Sequence, residues 1–169
     1  MRTILTTLFL LLFGATIQAQ SNKAIVDTFL NQWHEAAGNA NFEAYFEALD
    51  ENSIYIGTDA TENWTKKEFA NFAKPYFDKG KAWNFKTLER SIYFSPDGTM
   101  AWFDELLNTQ MKICRGSGVL VQKDGKWKIK HYVLSMTIPN ETVSEVVKSK
   151  STIEDLHIQQ LQNANLKQK

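Results

Sequence analysis

The sequence has a single cysteine, three prolines and no excess of either charge, with 19 Lys+Arg against 19 Asp+Glu. Because Cys114 stands alone, an internal disulfide framework and any Cys-x-x-Cys redox or zinc motif are excluded. Balanced charge with no clustered Lys/Arg face excludes the basic footprint that a nucleic-acid partner requires. There is no Gly-rich phosphate loop, so no nucleotide or redox cofactor is predicted. His34, His131 and His157 lie far apart, and the adjacent His34 and Glu35 do not face one another on a helix, so no metal site is predicted. His34 reads as a helix-surface residue. What is present, 43% hydrophobic and 12% aromatic residues, is the composition of one globular domain.

Long apolar runs are also missing. The mostly apolar run Ile4 to Phe13 falls short of the roughly 20 residues that a membrane-spanning helix needs. It follows the basic start Met1-Arg2 and precedes small and polar residues up to Ala19, the pattern of a secretory signal peptide over residues 1–19. This predicts an exported protein, periplasmic or secreted, with no membrane association after cleavage. The domain is then 20–139, followed by a polar, partly helical tail over 140–169 whose weak apolar pattern runs from Val143 to Leu161.

Between Ala24 and Ala37 the residues Ile25, Val26, Phe29, Leu30, Trp33, Ala36 and Ala37 recur at spacings of three and four, which predicts an amphipathic helix ended by Gly38. Asn41 reads as the cap of a second, shorter helix, and Ser53 to Gly57 as a strand. Thr65 and Glu68 form a capping box, with Trp64 and Phe69 as its hydrophobic staple, so a third helix starts there and closes at Gly80. From Trp83 the period falls to two. The turn residues Pro96-Asp97-Gly98 and Lys123-Asp124-Gly125-Lys126 predict antiparallel hairpins. Helices followed by a run of strands predict an α+β fold with helices on one face of a strongly curved antiparallel sheet.

Hairpin register assigns side chains to faces. A three-residue loop at Asp124-Gly125 sets Val119 opposite Ile129, Ser117 opposite His131 and Arg115 opposite Val133 on the apolar inner face; a two-residue loop puts Arg115 outside. A similar loop at Pro96-Asp97-Gly98 sets Ile92 opposite Trp102 and Arg90 opposite Asp104, which turns Asp104 inward and its neighbour Glu105 outward. The concave side is then expected to show Trp102, Asp104, Arg115, Ser117 and His131, with Tyr55 and Trp64 near the mouth. Converging polar groups in an apolar cavity are the usual form of a ligand site. The same residues also fit a purely structural role, as an ion pair and a packed histidine.

Gly57-Thr58-Asp59, Glu62-Asn63-Trp64 before a helix, Asp97-Gly98-Thr99-Met100-Ala101-Trp102, Arg115 to Leu120 and Gly125 to Tyr132 together resemble the SnoaL-like branch of the nuclear transport factor 2 superfamily, in an exported bacterial type. The resemblance spans roughly Asn22 to Asn140. It implies a cone-shaped α+β fold, three N-terminal helices over a bent sheet, and homodimerisation through the sheet's outer face. Superfamily enzymes place an Asp or His in the cone as acid or base, a role the resemblance offers to Asp104 and His131. The expected function is binding of a small apolar ligand with a polar or acidic end, through Arg115, Ser117, Trp102, Tyr55 and Trp64. The alternatives are a lyase, isomerase or cyclase using Asp104 or His131, and a non-catalytic association module.

Overall fold

The computed structural model describes residues 22–166. The predicted signal segment 1–19 and the last three residues lie outside the described residues. The chain divides between Met136 and Thr137 into two units.

The first unit opens with helix α1 (22–38), whose Val26, Leu30, Trp33 and Ala37 are buried at the spacing the sequence predicts. Helix α2 (Phe42–Glu47) starts at Asn41, whose side chain accepts a bond from the Ala44 amide at 3.1 Å. Strand β1 (Leu49–Ile56) and the short β2 (Asn63–Thr65) lead into helix α3 (Lys66–Asp78). The capping box forms as predicted, with the Thr65 amide donating to Glu68 at 2.9 Å, and Trp64 stacks on Phe69 at 5.6 Å. Pro75 lies inside α3 on its exposed side, where it removes one backbone donor from the helix.

Four long strands follow: β3 (Lys86–Phe94), β4 (Met100–Thr109), β5 (Lys112–Lys123) and β6 (Lys126–Met136). The sheet is curved and unclosed, in the order β2-β1-β6-β5-β4-β3. All neighbours are antiparallel except β1 and β6. A packed interior separates α1 and α3 from the sheet, dominated by aromatics: Tyr45 stacks on Trp33 at 5.0 Å, Tyr55 on Phe69 at 3.8 Å, and Tyr132 meets Trp33 edge-on at 4.8 Å.

Both hairpin registers differ by one residue from the expectation. At the first, Ser95 pairs with Met100 through a 3.0 Å backbone bond, so four residues rather than three form the loop. The cause is local: the Asp97 carboxylate accepts from Ser95 Oγ at 2.6 Å and from the Thr99 amide at 3.1 Å, drawing Thr99 into the turn. Arg90 therefore pairs with Glu105 and Tyr93 with Trp102. At the second, Asp124 and Gly125 both have positive φ, 51° and 73°, the signature of a two-residue turn, and Lys123 pairs with Lys126. A bulge at Lys130 then breaks the alternation of β6, so that Trp127, Ile129, Tyr132 and Leu134 face inward and His131 faces outward.

The second unit is a 3-10 turn (Asn140–Thr142) and helix α4 (Val143–Leu166). Helix α4 has no buried residue.

Candidate functional site

The four-residue first turn places Ala101, Phe103, Glu105 and Leu107 on the inner face of β4. Glu105 is 1% exposed and accepts from every side. Its Oε1 meets His34 Nε2 at 2.9 Å and the Tyr132 hydroxyl at 3.0 Å. Its Oε2 meets Arg90 Nε at 2.9 Å and Nη2 at 2.8 Å. Arg90, with a side chain only 2% exposed, spends its remaining donors on Asp27 Oδ1 at 2.7 Å, Asn31 Oδ1 at 2.8 Å and Thr87 Oγ1 at 2.8 Å. A buried charge pair is tolerated only when both members are fully bonded, which this one is. Burial alone would push the Glu105 carboxyl up, but His34 and Arg90 together hold it below the usual carboxylate range. Burial, with the Glu105 charge beside it, pushes the Tyr132 phenol well up, so that group stays a donor.

Gly116 makes this cluster possible. A Cβ there would lie 2.3 Å from the Tyr132 hydroxyl oxygen and 2.8 Å from Glu105 Oε1. Two positions on, a Cβ at Gly118 would lie 2.8 Å from the Phe103 ring. Alternate glycines within a strand mark a close approach, and this was the sequence signal for a bulky inward cluster opposite β5.

Two clefts reach this interior. A polar cleft of about 540 Å³ lies between α1 and β3, lined by Asp27, Asn31, His34, Glu35, Glu89 and Arg90 among others. A larger, mainly apolar cleft of about 770 Å³ lies between α1, α2 and the β5–β6 turn, lined by Ile25, Phe29, Trp33 and Trp127. Lys126 and Lys128 stand at its edge; Lys128 Nζ bonds the Glu47 carbonyl, while Lys126 makes no ion pair among the described residues. Among the described residues no group of three His, Cys, Asp or Glu side chains could hold a metal ion.

The residues predicted for the site do not converge. Asp104 is exposed on the outer face, and Trp102 beside it is 47% exposed and stacked on Tyr93 at 5.9 Å. Arg115 is exposed and Ser117 half-buried on the same outer face, because the two-residue turn shifts β5 by one. His131 is turned out by the Lys130 bulge. No ion pair joins Asp104 to Arg115 among the described residues. Tyr55 does face inward, but it is stacked on Phe69 with Trp64 close by, and neither Tyr55 nor Trp64 lines either cleft. His34, expected at the surface, is 4% exposed against Glu105. Sequence reasoning missed Glu105, His34 and Tyr132. Of this cluster only Arg90 was set inward, with the wrong partner.

Helices packed on one face of a curved, unclosed and mostly antiparallel sheet, with an ionisable cluster between them, define the α+β class to which this domain belongs. The profile of the SnoaL-like domain matches residues 26–139, and the chain belongs to that family. No curated protein matches it. Among solved structures it is similar to an NTF2-like protein of unknown function from Pseudomonas putida KT2440, at 11% identity and TM-score 0.62, over 73% of this chain and 92% of that one. It is similar also to a domain of unknown function with a cystatin-like fold from Nostoc punctiforme PCC 73102, at 17% identity and TM-score 0.62, over 88% and 98%. A protein provisionally described as a ketosteroid isomerase from Shewanella frigidimarina NCIMB 400 shares 20% identity at TM-score 0.53, over 64% and 92%. At these identities the likeness concerns the fold alone.

Proposed function

We propose that the protein binds a small apolar molecule with an acidic end, and that the molecule lies in the cleft between α1, α2 and the β5–β6 turn. The observation that carries this reading is the cleft itself: about 770 Å³, floored by Ile25, Phe29, Trp33 and Trp127, with the unpaired Lys126 at its edge. A cavity of that size suits a ligand of ordinary small-molecule dimensions, and apolar walls with charged side chains at the edge, Lys126, Lys128 and Glu47, give both affinity and orientation. This reading keeps the ligand class expected from sequence and moves its anchor from Arg115 to Lys126. Titrating the protein with dodecanoate while following tryptophan fluorescence tests it, since two of the five tryptophans, Trp33 and Trp127, line the cleft. Saturable quenching that is lost in Trp127→Ala supports the reading; quenching that is absent, or unchanged in that variant, overturns it.

Association is a second reading with its own support. Tyr93, Met100 and Trp102 lie exposed together on the outer face of the sheet, at 48%, 44% and 47%. Apolar groups clustered in this way mark an interaction surface, and a second copy of the chain is the partner proposed. Light scattering should give twice the chain mass for the wild type and a monomer for Tyr93→Ser/Trp102→Ser. Export is proposed from the segment 1–19; the N-terminal mass of protein recovered outside the cytoplasm should begin at Gln20.

A further inference from the structure

We propose that the apolar cleft selects oxo acids, because its floor holds a hydrogen-bond donor, the Trp33 indole N–H, for a neutral carbonyl oxygen in the body of an apolar acid. This rests on the reading of the cleft as a site for apolar acids and adds a second polar point to it. Among the described residues three buried side-chain polar atoms have no hydrogen-bond partner: Trp33 Nε1, Ser53 Oγ and Trp83 Nε1. Ser53 and Trp83 line neither cleft, whereas Trp33 lines the apolar one. An indole N–H can only donate, and one that is closed to water and unanswered by the protein is costly. A ligand acceptor that enters the cleft against this ring is the partner it lacks.

The ring is held where it is. Tyr45 stacks on it at 5.0 Å, Tyr132 meets it edge-on at 4.8 Å and His34 lies against it at 5.0 Å. The buried carboxylate of this interior, Glu105, is already taken up by His34, Tyr132 and Arg90. Depth then sorts the two polar points of the cleft. Trp33, at 2% exposure, is the most buried residue of the lining, and Lys126 is exposed at the edge. An acid whose charged end is held by Lys126 therefore meets Trp33 with its body. A second carboxylate there would be a buried charge beside Phe29 and Trp127 with one donor to answer it. A hydroxyl would carry a donor of its own into apolar surroundings, whereas a carbonyl oxygen only accepts.

The test compares dodecanoate with its 4-, 6-, 8- and 10-oxo derivatives on the full chain. Calorimetry gives affinity, and the indole N–H resonances of ¹⁵N-tryptophan-labelled protein, that of Trp33 assigned by its loss in Trp33→Phe, report on the donor. One position of the carbonyl is expected to bind about tenfold more tightly than dodecanoate, the factor that one hydrogen bond to an otherwise orphaned donor provides. That isomer should move the Trp33 indole proton downfield, and dodecanoate should not. Trp33→Phe keeps an aromatic ring without the donor, and in it the isomer and dodecanoate should bind equally. The indole shift is read in the wild type, so it decides the matter even where Trp33→Phe does not fold. No isomer bettering dodecanoate, tighter binding without a shift at Trp33, or a preference that survives in Trp33→Phe would each overturn the proposal. Dodecanoate binding with no gain from any carbonyl sinks this inference alone; binding of neither dodecanoate nor its oxo derivatives sinks the reading of the cleft with it.

Discussion

The inner and outer faces of the sheet carry the same pairing of residue types in different surroundings. On the inner face Arg90 and Glu105 sit under α1, each excluded from water and bonded at every polar atom. On the outer face Arg115 and Asp104 are exposed on neighbouring strands and share no ion pair. One residue of register separates Glu105 from Asp104, and that step decides which carboxylate becomes part of the core. The difference shows that an acid's chemistry here is set by its strand face rather than by its neighbours in sequence.

The sharpest way to break the comparison is to remove each carboxylate in turn. Glu105→Ala leaves the Arg90 charge buried with only the half-exposed Asp27 to balance it, and should cost about 3–5 kcal/mol of stability. Asp104→Ala should stay within about 0.5 kcal/mol. Urea unfolding of both variants measures the contrast, and equal losses would erase the distinction between the faces.

Next in size is the glycine that admits the inner cluster. Gly116→Ala forces a methyl onto the Tyr132 hydroxyl and should cost about 1–3 kcal/mol by overpacking. Ser117→Ala, one residue on and facing outward, should have little effect by the same measurement.

The pH dependence of stability distinguishes the faces a third way. Because the Glu105 carboxyl is held below its ordinary value in the fold, its contribution is fully present above the unfolded-state value of about 4.3. As pH falls through the lower folded value the proton is taken up and the contribution disappears. Denaturant midpoints measured from neutral pH downward should therefore fall less steeply below about pH 4.3 in Glu105→Gln than in the wild type.

The smallest expected effects belong to the outer face. Arg115→Ala and His131→Ala should leave the dodecanoate titration unchanged and stability within about 0.5 kcal/mol. A larger loss of stability from either would show that a second copy covers this face.

The pattern that made the fold legible was local. Apolar spacing wrote α1, the Thr65–Glu68 box wrote the start of α3, and the shift to period two wrote the strands. The site was illegible because it depended on two turns whose lengths differ from the expected ones by a single residue. The Asp97 side chain drew Thr99 into the first, and the second closed on two positive-φ residues. The bulge at Lys130 left no mark in the local sequence, since Lys128 to Tyr132 alternates as well with the bulge as without it. His34 was misread for another reason: helical spacing places it beside the apolar stripe of α1, and only a carboxylate from a distant strand makes that position habitable.

By themselves the lone cysteine, the balanced charge and the periodicity determined an α+β fold without an internal disulfide, and the motif order determined its family. These properties rest on local propensity and on the period of the apolar residues, which a chain carries before it folds. Tertiary structure alone decided that Glu105 rather than Asp104 enters the core, that His34 meets it, and that Lys126 rather than Arg115 stands at an apolar cleft. A one-residue slip inverts every side chain of a strand, so the face on which a charge finally lies is fixed only when turn, bulge and covering helix are all in place.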